Sequence, residues 1–186
     1  MQKAPAVYNI RLKVTGSSAS TREWGLQIKI FTTGGTFDKV YFDAKSEFHI
    51  GEPMAAALLE EANVNFDYDI ESLTRKDSLE MDDSDRALIR DAVAKVDGDR
   101  ILITHGTDTM VETAAKLLDI GDKTIVLFGA MQPARMRYSD AMYNLGFACA
   151  AVQLLPRGVH LAMNGQVFDP RRVAKNRAQS RFEVSA

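Results

Sequence analysis

The sequence predicts an α/β fold with a doubly wound, mostly parallel sheet and helices on both faces. This is a three-layer arrangement of the Rossmann or flavodoxin kind. Short apolar runs alternate five times with helical patterns and are joined by short links, which is typical of parallel strands with right-handed crossovers. The run Arg100–Thr104 is apolar throughout its middle, as expected for a strand that helices cover on both faces.

The predicted elements follow in order along the chain. The strands are expected at 26–32, 64–68, 100–104, 123–128 and 159–163. The helices are expected at 53–62, from Ser84 to Val96, at 109–119 and at 139–155. Pro53 suits the first turn of a helix, where a missing N–H costs little. Ser84 is a typical N-cap residue, and Pro156 ends the last helix.

Composition and charge indicate a globular protein of one domain. The 186 residues are 46% hydrophobic and 26% charged, with a net charge of −2, so no electrostatic feature favours nucleic acid or a membrane surface. No apolar run approaches the roughly 20 residues that span a bilayer. Residues 1–25 are interpreted as a poorly ordered leader rather than a secretory signal. The domain is expected at 26–186.

Two local features are interpreted as structural. Cys149 is the single cysteine, which excludes a disulfide within these residues, and its apolar neighbours favour a buried small side chain over a reactive thiol. A basic cluster comprises Arg171, Arg172, Lys175 and Arg177. Apart from Lys175, these residues are interpreted as part of a solvated loop.

The loop after the first strand is a candidate site, because ligands bind beyond the carboxyl ends of strands in such sheets. Residues 32–39 read TTGGTFDK. Paired glycines allow the backbone to approach a ligand closely, but the run matches neither a dinucleotide fingerprint nor a phosphate loop. A tight strand-to-helix turn is an equally good interpretation of this loop alone.

The loop after the third strand is the second candidate. Residues 105–110 read HGTDTM and place two hydroxyls and a carboxylate where a helix begins. An N-cap is the alternative interpretation, and His105 is interpreted as a buried histidine with its hydrogen bonds satisfied. Two threonine-rich strand ends on nearby strands favour one shared pocket.

These loops resemble those of the bacterial-type L-asparaginase family. The likeness rests on Thr33 to Thr36, on HGTDTM and on GAMQP at 129–133, and it continues through Ser139, Asp140 and Asn144 to Lys175. The blocks occur in the family's order and spacing. The resemblance implies a short cytoplasmic member with the N-terminal-type catalytic domain and no C-terminal domain. It also implies hydrolysis of L-asparagine to L-aspartate and ammonia without a metal or organic cofactor.

The resemblance implies catalytic roles for five residues. Thr36 matches the nucleophile toward the side-chain amide, and Tyr41 matches a tyrosine in the flexible loop that helps to activate it. Thr107 matches a second threonine, which would form a relay with Lys175 and Asp108. Simple packing is the alternative for Tyr41.

The same resemblance implies substrate contacts. The backbone around Gly35 would stabilise the oxyanion, Ser78 would bind the α-carboxylate, and Asp108 would pair with the α-ammonium. Thr107 would also contact the substrate. A helix cap is the alternative for Ser78.

Three departures from the family pattern bear on affinity and selectivity rather than on reaction type. They are the missing C-terminal domain, Leu79 where a polar residue is common, and Phe37 where an aliphatic residue is common. Two other functions stay open: a related amidase, such as a glutaminase or the amidase domain of a tRNA-dependent amidotransferase, and a non-catalytic amino-acid-binding module. Retention of the five catalytic matches argues against the binding module.

The long helix predicted at 139–155 is apolar around most of its circumference. A helix of this kind needs burial on more than one side. We therefore expect a homodimer or homotetramer with this helix or its neighbours at an interface. Burial of the helix wholly within its own subunit is the alternative.

Overall fold

The computed structural model describes residues 27–42 and 47–185. The predicted leader at 1–25, the first residue of the predicted first strand, residues 43–46 and the last residue of the predicted domain lie outside these ranges.

The described residues form strands and helices in alternation. The strands are β1 (Gln27–Gly34), β2 (Lys39–Phe42), β3 (Glu47–Ile50), β4 (Asp67–Lys76), β5 (Arg100–Thr104), β6 (Thr124–Phe128), β7 (Gly158–Met163), β8 (Gln166–Phe168), β9 (Val173–Asn176) and β10 (Arg181–Val184). The helices are α1 (Ala55–Glu61), α2 (Asp83–Ala94), α3 (Met110–Ala115) and α4 (Ala141–Leu154). None of these helices is long and apolar enough to cross a membrane.

The central sheet has the predicted doubly wound topology. Its order is β4-β1-β5-β6-β7-β8; β4, β1, β5, β6 and β7 pair in parallel, and only β8 is antiparallel. Successive side chains of a strand point to opposite faces. Every residue of β6 and all but the first of β5 are buried, so both faces of the sheet are covered.

Small strand pairs flank this sheet, and the sequence pattern did not predict them. β2 pairs antiparallel with β3, and β9 pairs antiparallel with β10. Tyr41 therefore lies in a strand opposite Phe48, and its predicted place in a flexible loop was wrong. In the second pair, Lys175 lies opposite Phe182, whose buried ring anchors the strand that carries the lysine.

Three predicted boundaries were wrong. The helix expected at 109–119 is shorter: α3 ends at Ala115, and turns follow it. The second strand of the sheet is not 64–68 but β4, which begins at Asp67. Asn63, with φ 49, turns the chain after α1, and Val64 packs on the core from the loop. The cap of α2 is Asp82 rather than Ser84: its carboxylate accepts the N–H groups of Ser84 and Asp85 in a capping box.

Helix α4 packs on β5, β6 and β7 along one face, where Cys149 is buried as predicted. No residue of the helix carries a charge. Tyr143 and Leu154 nevertheless expose 62% and 83% of their surface, so the helix is not wholly buried within the described part of its own subunit.

Candidate active site

The two threonine-rich loops meet at the point where the strand order of the sheet reverses. The strand that follows β1 along the chain in the main sheet, β4, pairs with β1 on one side. The next strand, β5, pairs with β1 on the other side. Thr32 of β1 is level with Thr104, the last residue of β5, so the loops that follow the two strands leave the same edge of the sheet. Such a switch point is where sheets of this type bind ligands, as the sequence predicted.

Two glycines shape the first loop. Gly34 and Gly35 have φ values of 95° and 78°, a region that residues with a Cβ rarely adopt. A Cβ on Gly35 would lie 2.5 Å from the Cα of Gly106 in the second loop. The Gly35 N–H donates to the Lys76 carbonyl oxygen at 2.9 Å. The ends of β1, β4 and β5 are therefore in direct contact.

Thr36 begins a short 3-10 turn, Thr36–Asp38, just beyond these glycines. Phe37 fixes the turn from below: its ring is fully buried and meets the Phe128 ring edge-on at 5.5 Å. Thr36 itself is only half-buried. Its hydroxyl makes no hydrogen bond within the described residues, so it is available to a ligand. Thr33, by contrast, donates to the Thr104 carbonyl oxygen at 2.8 Å and is structural.

The second loop brings three predicted residues together. Lys175 Nζ lies 2.7 Å from Thr107 Oγ1 and 3.0 Å from Asp108 Oδ1. Thr107 is 3% exposed, and the lysine side chain is largely buried. Residues almost 70 positions apart in sequence thus form a continuous hydroxyl–amine–carboxylate chain, because β9 returns beside the loop that follows β5.

Arg177 also reaches this group, which sequence reasoning missed. Its Nε lies 3.4 Å from the same oxygen of Asp108. The basic cluster was interpreted as solvated apart from Lys175, and Arg177 is indeed exposed. Arg177 comes directly after β9, two residues beyond Lys175, and that nearness in sequence was the available signal.

Ser78 packs against the second loop, and its hydroxyl makes no hydrogen bond within the described residues. It follows β4 and is 1% exposed, and its Oγ has no hydrogen-bond partner among the described residues. A Cβ on Gly106 would lie 2.5 Å from that oxygen. The Thr109 hydroxyl donates to the Ser78 carbonyl oxygen at 2.8 Å. Neighbouring Leu79 points outward and is exposed.

Tyr41 is not brought to Thr36. Its side chain is 50% exposed, and its ring packs edge-on against Phe48, with the centroids 5.3 Å apart. No hydrogen bond joins its hydroxyl to Thr36 within the described residues. Tyr41 thus packs on Phe48, as in the alternative interpretation. The strand pair β2–β3 would have to move for Tyr41 to assist Thr36.

His105 is a structural residue, as interpreted from the sequence. Its Nδ1 donates to the Gly106 carbonyl oxygen and its Nε2 accepts from the Thr113 hydroxyl, both at 2.8 Å. Complete burial lowers the pKa of its imidazole to about 4, against the opposing effect of the Gly106 hydrogen bond. The neutral ring braces the second loop.

The carboxylate of Asp140 holds the GAMQP loop at 129–133. Asp140 accepts the N–H groups of Met131 and Gln132, each at 3.0 Å. Asn144 donates to the Gly129 carbonyl oxygen at 3.0 Å and to Asp140 at 2.8 Å. These residues therefore position the GAMQP loop against the site rather than face a ligand.

A separate cleft of about 390 Å³ lies at the opposite, amino ends of the strands. In it, Lys29 is paired with Asp69 and Glu71, both at 2.8 Å. It contains none of the predicted site residues. In the described ranges, no three histidine, cysteine, aspartate or glutamate side chains are grouped so as to hold a metal ion.

Comparison with known proteins decides the family. The family described as asparaginase, N-terminal, matches residues 27–185. The chain belongs to the asparaginase family. A glutaminase-asparaginase of Acinetobacter glutaminasificans is 37% identical over 110 residues, 56% of this chain and 32% of that protein. A probable periplasmic L-asparaginase of Haemophilus influenzae is 43% identical over 83 residues, 41% of this chain and 24% of that protein.

A solved structure extends this family likeness to the fold. The probable cytoplasmic L-asparaginase of Campylobacter jejuni has a TM-score of 0.68 and 32% identity, covering 85% of this asparaginase-family chain and 51% of that one. The chain thus spans about a third or less of the two curated relatives and about half of the solved one.

Proposed function

We propose that this chain is an L-asparaginase, which hydrolyses L-asparagine to L-aspartate and ammonia. The observation that carries the proposal is the Lys175 amine, hydrogen-bonded at once to Thr107 and Asp108 beside a glycine turn that presents Thr36. A threonine hydroxyl is a weak nucleophile unless a neighbour takes its proton. An arrangement that joins a threonine to a lysine and a carboxylate provides such a neighbour.

We assign the attack on the amide to Thr36. Thr107 is already hydrogen-bonded by Lys175, whereas the Thr36 hydroxyl is half-buried and has no partner among the described residues. Attack of this oxygen on the side-chain amide carbon would form a C–O bond and an oxyanion, which backbone N–H groups of the glycine turn would stabilise. The proton of the Thr36 hydroxyl would pass to the amide nitrogen. The C–N bond then breaks, and the nitrogen leaves as ammonia after it gains a proton. Water hydrolyses the resulting ester to aspartate and free Thr36.

Thr107, Lys175 and Asp108 manage protons and hold the substrate. As an ammonium, Lys175 donates to Thr107; it accepts the threonine proton only after losing one of its own. Thr107 would thereby pass a proton between Lys175 and the amide. Asp108 offers a carboxylate to the substrate's α-ammonium as well as to Lys175. Gly35 and Ser78 complete the proposed substrate contacts.

Glutamine is a second candidate substrate. The Acinetobacter relative is named a glutaminase-asparaginase. Ammonia release from L-asparagine and L-glutamine by the purified chain, coupled to NADH oxidation, separates these candidates, with Thr107→Ala as the matched control. Release faster from asparagine than from glutamine, and lost in the control, supports the proposal. Binding of asparagine without release would establish the binding module instead.

We further propose a homodimer or homotetramer that places the exposed face of α4 at an interface. Tyr143 and Leu154 are the most exposed apolar side chains of that uncharged helix, and a contiguous exposed apolar face marks an interaction surface. Light scattering across a dilution series tests this state directly.

We also propose that the chain acts in the cytoplasm, on its likeness to the Campylobacter protein named as cytoplasmic. Fractionation of cells that express the gene at its native level tests the location. Recovery with periplasmic marker enzymes would overturn it.

A further inference from the structure

One ion pair joins the turn that carries Thr36 to the turn that carries Ser78. Lys39 directly follows the first turn, and Asp77 directly precedes the second. Lys39 Nζ lies 2.7 Å from Asp77 Oδ2, and the two side chains are 26% and 28% exposed. The other oxygen of Asp77 accepts the Leu79 N–H at 3.1 Å. One carboxylate therefore holds its own turn and the end of the neighbouring one.

The Asp77 carboxyl is ionised when it makes these contacts. Partial burial raises its pKa, but the hydrogen bonds from the Lys39 ammonium and the Leu79 N–H outweigh that effect and hold the pKa below its ordinary value. A hydrogen bond between charged groups is shorter and stronger than one between neutral groups. Salt also screens a partly buried pair less than an exposed one. The ion pair is therefore a firmer link than an exposed surface pair.

The backbone joins the same two chain segments on the other side of Thr36. The Gly35 N–H donates to the Lys76 carbonyl oxygen at 2.9 Å, so the segments are linked just before Thr36 and, through the ion pair, again just after it. Gly106 lies between the two turns, since a Cβ on it would be 2.5 Å from Ser78 Oγ. The position of Thr36 relative to Ser78 is thus fixed from both directions along the chain.

A fixed span between Thr36 and Ser78 selects the length of the substrate. In the proposed function Ser78 binds the α-carboxylate and Thr36 attacks the side-chain amide, so the two residues hold opposite ends of one amino acid. The amide of L-glutamine lies farther from its α-carboxylate than that of L-asparagine by one C–C bond of about 1.5 Å. Misplacing a reacting group by about 1 Å costs roughly 100-fold in rate. A site of fixed span therefore favours one of the two amides.

We propose that the Lys39–Asp77 ion pair determines which amide the site hydrolyses. It fixes Thr36 relative to Ser78 at the span of L-asparagine. The inference rests on the proposed function, since it concerns the selectivity of that site. Lys39 and Asp77 are positioning residues, which act through the two turns. With the pair removed, the segment after Thr36 is no longer held to the Ser78 turn, so the span can adapt to the longer amide.

The test measures kcat/KM for L-asparagine and for L-glutamine in the native protein, Lys39→Met and Lys39→Arg. The native protein should prefer asparagine. Lys39→Met should lower the ratio of the two values at least about tenfold, mainly through kcat for asparagine, because the attacking oxygen is no longer aligned for it. Lys39→Arg can still pair with Asp77 and should keep most of the native ratio. A general loss of structure would lower both activities alike and leave the ratio unchanged.

Asp77→Asn is an independent variant, because its amide oxygen can still accept the Leu79 N–H. It should lower the ratio as Lys39→Met does, and the double variant should lower it no further, since the two residues act as a unit. Lys116→Met is the matched control: Lys116 pairs with Asp83 of α2 at 3.2 Å, outside both turns, and should keep the native ratio. A folded Lys39→Met or Asp77→Asn with the native ratio overturns the inference, and so do effects that multiply in the double variant.

Calorimetric binding of L-aspartate and L-glutamate separates this inference from the proposed function, because these amino acids have the two chain lengths and require no turnover. If the native protein hydrolyses neither amide, the asparaginase proposal fails. A preference for aspartate that is lost in Lys39→Met still supports the role of the ion pair, and a preference that is kept or absent refutes it. Turnover of asparagine with an unchanged ratio in Lys39→Met refutes the role of the ion pair and leaves the asparaginase proposal standing.

Discussion

At the scale of single residues, the unpartnered hydroxyl of Thr36 is the group on which the proposed chemistry depends. Thr36→Ala should lower kcat by several orders of magnitude, since no other hydroxyl replaces the attacking oxygen. It should leave the melting temperature unchanged, because that hydroxyl makes no hydrogen bond within the described residues. Thr36→Ser should keep measurable activity. Steady-state ammonia release and thermal unfolding measure both effects, and near-native turnover by Thr36→Ala would remove this residue from the mechanism.

Asp38, two residues further on, has an environment that makes stability depend on pH. Its side chain is 1% exposed; Oδ1 accepts the Met54 N–H at 2.8 Å, and Oδ2 has no partner among the described residues. Burial raises the pKa of this carboxyl from 3.8 to about 7, although the Met54 hydrogen bond and the charges of Arg75 and Arg135 oppose the rise.

The sign of the effect follows from proton binding. Between pH 3.8 and about 7 the folded carboxyl holds a proton that the unfolded one has lost, so the free energy of unfolding falls as pH rises through this window. Asp38→Asn stays neutral at every pH. The stability of the native protein relative to this variant should therefore decrease between pH 4 and 7 and level off above. Urea unfolding at several pH values measures the difference, and parallel curves for the two proteins would contradict it.

At the scale of elements, the glycine turn after β1 sets the distance between the two loops. Gly35→Ala would place a methyl group 2.5 Å from the Gly106 backbone at a φ of 78°, so the backbone must shift. We expect a fall in kcat of at least about tenfold, since small displacements of reacting groups cost much activity. Gly121→Ala is the control, because a Cβ there would meet nothing within 4 Å. Native kcat in Gly35→Ala would show that the turn does not set the site.

Helix α4 carries the prediction about assembly. Placing positive charge on its exposed face, as in the double variant Tyr143→Lys/Leu154→Lys, should shift a dimer or tetramer to monomer, because burying unpaired charges is costly. Leu88→Lys is the control: Leu88 is 45% exposed on α2, which is rich in charge. Light scattering measures mass in each case. A native protein that is monomeric at every concentration, or a variant with unchanged mass, would contradict the interface.

Strands that are buried on both faces can be predicted from a single sequence more easily than edge strands or short strand pairs. β5 and β6 are buried on both faces, so their apolar runs were unambiguous. β4 was misplaced because it pairs only with β1 on one side and carries Asp67, Asp69 and Glu71 among its apolar residues. The short pairs β2–β3 and β9–β10 have four residues in each strand, too few for a local alternation of apolar and polar residues to indicate a strand.

At the scale of the whole molecule, the place of the site was predictable and its finer contacts were not. The doubly wound order alone indicates that the loops after β1 and β5 meet. The link from Thr107 to Lys175 was implied by the resemblance, and in the structure the two side chains are 2.7 Å apart. The contact of Arg177 with Asp108 and the burial of Asp38 depend on how the end of the chain and α1 fold back over the strand ends. No local pattern encodes those approaches.

In the proposed hydrolysis of asparagine, Thr107 and Lys175 act as one catalytic unit. The most direct test of this claim is the rate of ammonia release from L-asparagine by the native protein, Thr107→Ala, Lys175→Met and the double variant. Each single change should lower kcat by roughly 10²–10⁴-fold, and the double variant should be no slower than the slower single one, because residues that act together are not additive. Near-native release by either single variant, or effects that multiply in the double variant, would contradict the claim.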